Sequence, residues 1–383
     1  MVREDIPHAG MNADWSLIVV LPNLTLKKPA EFPPFAFVPN DDQRLIEIRK
    51  TSKPAAALLD NFASNFGRPC NPSALIVDKS APSNFQDWTA IVDLRNAFAI
   101  ATICRSWQFA IGSLNVWWPL YSDYFDFYPF HPANDGFGLV HSGPGLSSHN
   151  DAAEFIGQPQ VDIPSGQQWN FDVTPDEGLM PALIDAWKKR ILRKRRDWKT
   201  DALFRSLAVA FRAARLAKGS DNQMFDLGIQ LSLWVSAHEC LVHPGRRGRA
   251  DLNAVWDLLG KRNWSYGRLR DKFRLRHIRS RPGHTPPLNY VQRLYFRLHR
   301  ARNAFLHGNP VKRDLLFIGK TKSDSVFIQV APLVYQTALE AHLLPQQKLR
   351  RRRKLEEVVG IALRRGKLER ALLKTKERRS DLP

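Results

Sequence analysis

The chain has 383 residues, 44% hydrophobic and 25% charged, a globular composition with material for more than one core. No stretch approaches about 18 consecutive apolar residues, so no membrane span is expected, and Met1-Val2-Arg3-Glu4-Asp5 lacks the apolar run of a secretory signal. The formal net charge is +20, and three widely spaced cysteines (Cys70, Cys104, Cys240) offer no disulfide framework, which suits a reducing cytoplasm.

The charge is unevenly spread. Residues 1–180 hold 11 Lys and Arg against 20 Asp and Glu, a net of −9. Residues 181–383 hold 46 against 17, a net of +29. So basic a half predicts a polyanion partner, nucleic acid before an anionic membrane surface.

In chain order, residues 1–177 read as a mixed, β-containing domain. Short apolar runs at Trp15–Leu21, Ala74–Val77 and Phe137–Val140 are bounded by Pro, Asn, Asp or Gly, which predicts strands. A helix is expected between Trp88 and Ile111, where Ile91, Val92, Leu94, Phe98, Ala99 and Ile103 recur with few breakers. The aromatic run Val116–Phe130 is expected to pack into a core rather than form one regular helix. Phe155–Gly178, rich in Gly, Pro, Gln and Asp, reads as a linker.

Residues 178–345 then read as an all-helical domain, which makes the fold class α+β. Helices are expected at Leu179–Trp198, Leu203–Lys218 and Phe225–Leu241, the last too apolar all round for a surface position. His243-Pro244-Gly245 stops it, and a short helix follows at Asp251–Gly260. An arginine-rich loop covers Arg268–Arg281. A long helix, Leu288–Leu306, ends at Gly308 and Pro310. A small hairpin (Leu315–Ile318 with Val326–Val330) and a helix at Ala331–Leu344 complete the domain. Residues 346–383 form a basic tail, helical or disordered. Candidate RNA contacts are Arg246, Arg247 and Arg249 in one loop, Arg297 and Arg300 on the long helix, and Arg350, Arg351, Arg352 and Arg353 in the tail.

The long helix closes on Arg302-Asn303-Ala304-Phe305-Leu306-His307-Gly308. Asn303 and His307 stand four apart and share a helix face. Arg302 lies about 140° round from His307, within reach of a long side chain. At the helix end, the His307 imidazole would meet the negative pole of the dipole, which favours its protonated form. A guanidinium that grips a phosphate oxygen, beside an imidazole that moves a proton near neutral pH, suits phosphodiester chemistry. His238 and Cys240 fall about 200° apart on a helix and cannot chelate one ion together, so both read as packing residues. His243 reads as a helix-end residue. There is no P-loop or nucleophile elbow.

The spacing of Arg302, Asn303 and His307 resembles the signature of HEPN ribonucleases. Leu233–Leu241, with Glu239, resembles the earlier core helix of Apea-like HEPN domains, and Leu294–Gly308 resembles their later helix. Tyr121–Pro129 is similar to segments upstream of such domains. The resemblance covers roughly residues 180–345. It implies a homodimeric endoribonuclease that needs no metal or other cofactor and leaves 2′,3′-cyclic phosphate and 5′-hydroxyl ends. His307 would be the acid/base and Arg302 would stabilise the phosphorane-like charge. Asn303 would orient the pair or the RNA backbone, with Glu239 positioning Arg302 or His307 from the facing helix. Such proteins often serve toxin-type or antiviral defence, where a protein or phage-derived trigger acts. The alternative is a non-catalytic HEPN module that binds RNA or protein, and a third reading is an adaptor whose basic tail docks on an acidic partner.

Overall fold

The computed structural model describes residues 14–63, 67, 69–112, 119–133, 138–143, 146–155, 173–193, 197–216, 223–245, 248–262, 264, 288–308, 329–345 and 349. Most of the expected linker and hairpin, the Arg268–Arg281 loop and all but Leu349 of the tail lie outside them. The fold is α+β, with helices and two small antiparallel sheets. It divides into two compact units: residues up to Ile91 with Asp123–Thr174, and Val92–Ser122 with residues from Pro175 onward.

In the first unit, β1 (Trp15–Leu21), β2 (Ala30–Phe32), β3 (Phe35–Val38) and β4 (Ser73–Asp78) form a sheet in the order β1-β4-β3-β2. The sequence reading found β1 and β4 but not the β2–β3 pair, which turns through two prolines, Pro33 and Pro34. The β1–β4 register shifts between Leu17 and Val19. That bulge lets Leu17 and Val20 share a face with Ala74 and Ile76, where strict alternation would have split them. Two further unpredicted elements, α1 (Gln43–Thr51) and α2 (Lys53–Asp60), cover this face with Leu45, Ile48, Leu58 and Leu59. Ser52 alone joins them. Its N–H closes α1 on Ile48 O, and its side chain caps α2 at Ala55 N.

A second sheet, β5 (Phe130–Pro132), β6 (Gly138–Gly143) and β7 (Leu146–Asp151), packs Tyr128, Phe130 and Leu139 onto the same core. Within the aromatic run, Leu120, Tyr124, Phe125 and Tyr128 are buried, around a short turn at Ser122–Phe125.

The division between units falls inside α3 (Trp88–Gly112). From Ala97 through Cys104 it is apolar but for Thr102, and fully buried residues follow one another there without a solvent face. The second unit adds α4 (Met180–Leu192), α5 (Trp198–Ala213), α6 (Gln223–Val242), α7 (Leu252–Gly260), α8 (Tyr290–Leu306) and α9 (Ala331–Leu343). The run expected as one helix to Trp198 stops at Leu192. Arg193 turns extended, and Asp197 starts a new helix by capping Lys199 N and accepting from Thr200 Oγ1. Helix α6 packs against α5, α7, α8 and α9. Ser206 ties three of these together, donating to Ala237 O (2.7 Å) and sharing a hydrogen bond with Tyr335 Oη (2.6 Å).

Two buried features of this unit carry stability. Gln336 links Gln108 (2.6 Å), Asp176 (3.2 Å) and Glu340 (3.1 Å), and Glu340 in turn pairs with Arg262. Both members of that ion pair have wholly buried side chains, and the Arg262 guanidinium lies 4.6 Å over the Trp264 ring. His238 is 0% exposed, stacks between Tyr295 and Tyr335, and shares a hydrogen bond with Trp234 O. Burial lowers its pKa to about 4. The unfolded imidazole protonates below about 6.5, whereas the folded one does not until about 4. Stability therefore falls as pH drops through that window, by up to about 3 kcal/mol from this group. His238→Phe is expected to flatten the dependence of melting temperature on pH between those limits. An unchanged slope would assign the loss to other groups.

Among the described residues no helix is long and apolar enough to cross a membrane.

Candidate active site

Helix α8 starts with a reciprocal capping box, Asn289 Oδ1 accepting from Gln292 N and Gln292 Oε1 from Asn289 N. Its buried stripe, Val291, Leu294, Tyr295, Leu298 and Ala301, has helical spacing and faces the core. The half-buried His299, Arg302 and Asn303 flank that stripe. The helix ends where Gly308 takes φ +67, a left-handed conformation that favours glycine. His307 is the C-cap, exposed, its N–H bonded to Asn303 O at 3.1 Å.

Helix α6 runs antiparallel to α8, and two contacts set their register. Near one end, Phe305 lies over Gly228 so closely that a Cβ there would stand 2.3 Å from the ring. Near the other, the rings of His238 and Tyr295 lie 4.8 Å apart. Next to His238, Glu239 reaches α8. Arg302 Nη2 donates to Glu239 Oε2 (2.9 Å), and Arg302 Nη1 donates to Asn303 Oδ1 (2.9 Å). His299 joins the group, its Nδ1 3.4 Å from Asn303 Nδ2 and its Nε2 4.0 Å from Glu239 Oε1.

The electrostatics follow from partial burial. Burial pushes the Glu239 carboxyl up, and the Arg302 guanidinium pulls it partly back. Burial, then the Arg302 charge, lowers His299 to about 4, so this imidazole is neutral in the ordinary pH range. The Tyr295 phenol is pushed up by burial first and then by the Glu239 charge. Arg302 Nε and Tyr295 Oη are buried without a hydrogen-bond partner among the described residues. Two donors are thus held next to a carboxylate that is already engaged.

The structure brings Glu239, Arg302 and Asn303 together. His307 stands apart from them, with no side-chain hydrogen bond to a described residue. Among the basic candidates, Arg300 and Arg249 are exposed and Arg297 is half-buried. Arg246, Arg247 and Arg350, Arg351, Arg352 and Arg353 lie outside the described residues. The sequence reading passed over His299 and Tyr295, although His299, Asn303 and His307 stand at i, i+4 and i+8 on one helix face. Among the described residues, no three His, Cys, Asp or Glu side chains are grouped to hold a metal ion. No protein-family model, curated protein or solved structure matches the chain.

Proposed function

We propose that the second unit is a HEPN-type domain whose α6/α8 site cleaves RNA, with the basic half of the chain holding the phosphate backbone. The observation that carries this reading is the pairing of Arg302 with Glu239 from the facing helix, one turn from an exposed cap histidine. A fixed guanidinium offers a phosphate two parallel donors once it turns from its carboxylate. An exposed imidazole can take and give a proton and reaches substrate without rearranging the core.

In the reaction proposed, a ribose 2′-oxygen bonds to the adjacent phosphorus and the bond from phosphorus to the 5′-oxygen breaks. The 2′-hydroxyl gives up a proton and the departing 5′-oxygen gains one, and His307 serves in that transfer. Arg302 stabilises the extra negative charge on the phosphoryl oxygens. A second copy of the chain completes the site. This is supported by the exposed Phe225, Ile229 and Leu306, which gather beside His307 where α6 begins and α8 ends. Such an apolar group near paired charges suits a partner surface.

This chemistry needs no divalent ion. Purified protein incubated with mixed cellular RNA is expected to cleave equally with and without EDTA and to leave cyclic-phosphate and 5′-hydroxyl ends. Activity lost on chelation and restored by a divalent ion would overturn the mechanism. RNA binding with no cleavage under any condition would favour a non-catalytic binding module.

A further inference from the structure

The donor and acceptor directions around Arg302 fix a hydrogen atom that the distances alone do not. A guanidinium only donates, so the Asn303 atom facing Arg302 Nη1 is the carbonyl Oδ1. The Asn303 Nδ2 therefore faces His299, 3.4 Å from Nδ1. Two N–H groups cannot share that approach, so Nδ1 is the unprotonated nitrogen and the imidazole proton sits on Nε2. Nε2 faces Glu239 Oε1 at 4.0 Å, and the other oxygen of the same carboxylate holds Arg302. The four side chains form a ring, Glu239 to Arg302 to Asn303 to His299 and back to Glu239, three of its steps at 3.4 Å or less and the last, His299 Nε2 to Glu239 Oε1, at 4.0 Å.

We propose that His299 is a positioning residue of this site: as the neutral Nε2–H tautomer it orients Asn303 and Glu239, which together aim Arg302. The inference rests on the reading of the α6/α8 site as a nuclease centre. A second proton on His299 would place N–H against N–H at Asn303 and break the ring. The surroundings oppose that proton. Among the described residues, the charged and titratable groups against the imidazole are Arg302 and Tyr295 on α8, and Glu239 on α6. Burial and the Arg302 charge disfavour an imidazolium, and Tyr295 packs on the ring with centroids 6.2 Å apart. From Tyr295 the tilted and edge-on ring contacts continue through His238 to Tyr335, so His299 ends a chain of rings rooted in the core. The site thus contains two histidines of opposite character on one helix. His307 is exposed at the helix end, and His299 is half-buried and held in one tautomer.

The test uses the full chain labelled with ¹⁵N at histidine, with the ring nitrogens read by NMR and cleavage measured on the same preparations. His299 is expected as the Nε2–H tautomer, still neutral at about pH 6, where an ordinary histidine is largely charged. Asn303→Leu removes the donor facing Nδ1 and should release the tautomer preference. His299→Leu should lower kcat by about a hundred-fold, the scale of a misaimed catalytic group, with KM for RNA little changed. His299→Asn keeps an acceptor near the place of Nδ1 and should recover most of that loss. An Nδ1–H tautomer, a charged His299 at that pH, or a tautomer indifferent to Asn303→Leu would overturn the inference. So would wild-type cleavage by His299→Leu. If His299→Leu does not fold, the tautomer in the wild type and in Asn303→Leu decides. If the wild type cleaves no RNA while the tautomer behaves as stated, the nuclease reading fails and the ring stands.

Discussion

His307→Ala is expected to reduce RNA cleavage by about 10²- to 10⁴-fold, the usual worth of a positioned acid/base group, while RNA affinity stays close to that of the wild type. The side chain is exposed at the end of α8, and its backbone N–H, which remains in the variant, makes the capping bond to Asn303 O. Loss of the imidazole leaves no cavity and no stranded partner, so the melting temperature should not move. Binding depends on 46 Lys and Arg in residues 181–383, and removing one histidine barely alters that field. Arg302→Ala is the contrasting variant. It leaves the half-buried Glu239 without its guanidinium and releases Asn303 Oδ1, so it should destabilise the chain as well as silence it. Activity, affinity and melting measured on both variants separate the two roles. If His307→Ala lowers the melting temperature and the wild type has no nuclease activity to lose, the histidine is a structural cap and the enzymatic reading ends.

The largest stability effect is expected away from the site. Glu340→Ala should cost about 3–5 kcal/mol, because it strips the carboxylate from Arg262 in a place that water does not reach. It also removes one acceptor of the Gln336 amide. Arg262→Met combined with Glu340→Leu should recover much of the loss, since filling the space with apolar atoms avoids the desolvation of two charges. Urea unfolding of the three variants measures this directly. A double variant no better than Glu340→Ala would mean that the Gln108–Gln336–Asp176 network needs the carboxylate for its own geometry.

How much of this was legible in the sequence depended on the range of the interaction concerned. β1 was readable to the residue, and α3, α6 and α8 to within two, because apolar spacing and local stop signals define them. β2, β3, α1 and α2 were not. Phe35–Val38 is a run of four buried residues with no alternation to mark it, and its strand character comes from pairing with β2 and β4. Helices α1 and α2 are short, and the serine between them serves both, so neither stands out by length or periodicity. Of the residues that the structure groups, Glu239, Arg302 and Asn303 could be named from one motif and one likeness. His299 could not, because its part in the ring needs the facing carboxylate, 60 residues away in sequence.

The two contacts that set α6 against α8 have a further consequence. Ten residues separate Gly228 from His238, and ten separate Tyr295 from Phe305. The helices are therefore keyed on either side of Arg302, like a bolt seated in two notches. A slide of one turn, about 5.4 Å, would lift Phe305 from its glycine notch and pull the His238 and Tyr295 rings apart in the same movement. No partial slide satisfies either seat. Any signal that frees Arg302 for a substrate must therefore swing the side chain or spread the helices apart, because sliding one along the other is mechanically blocked.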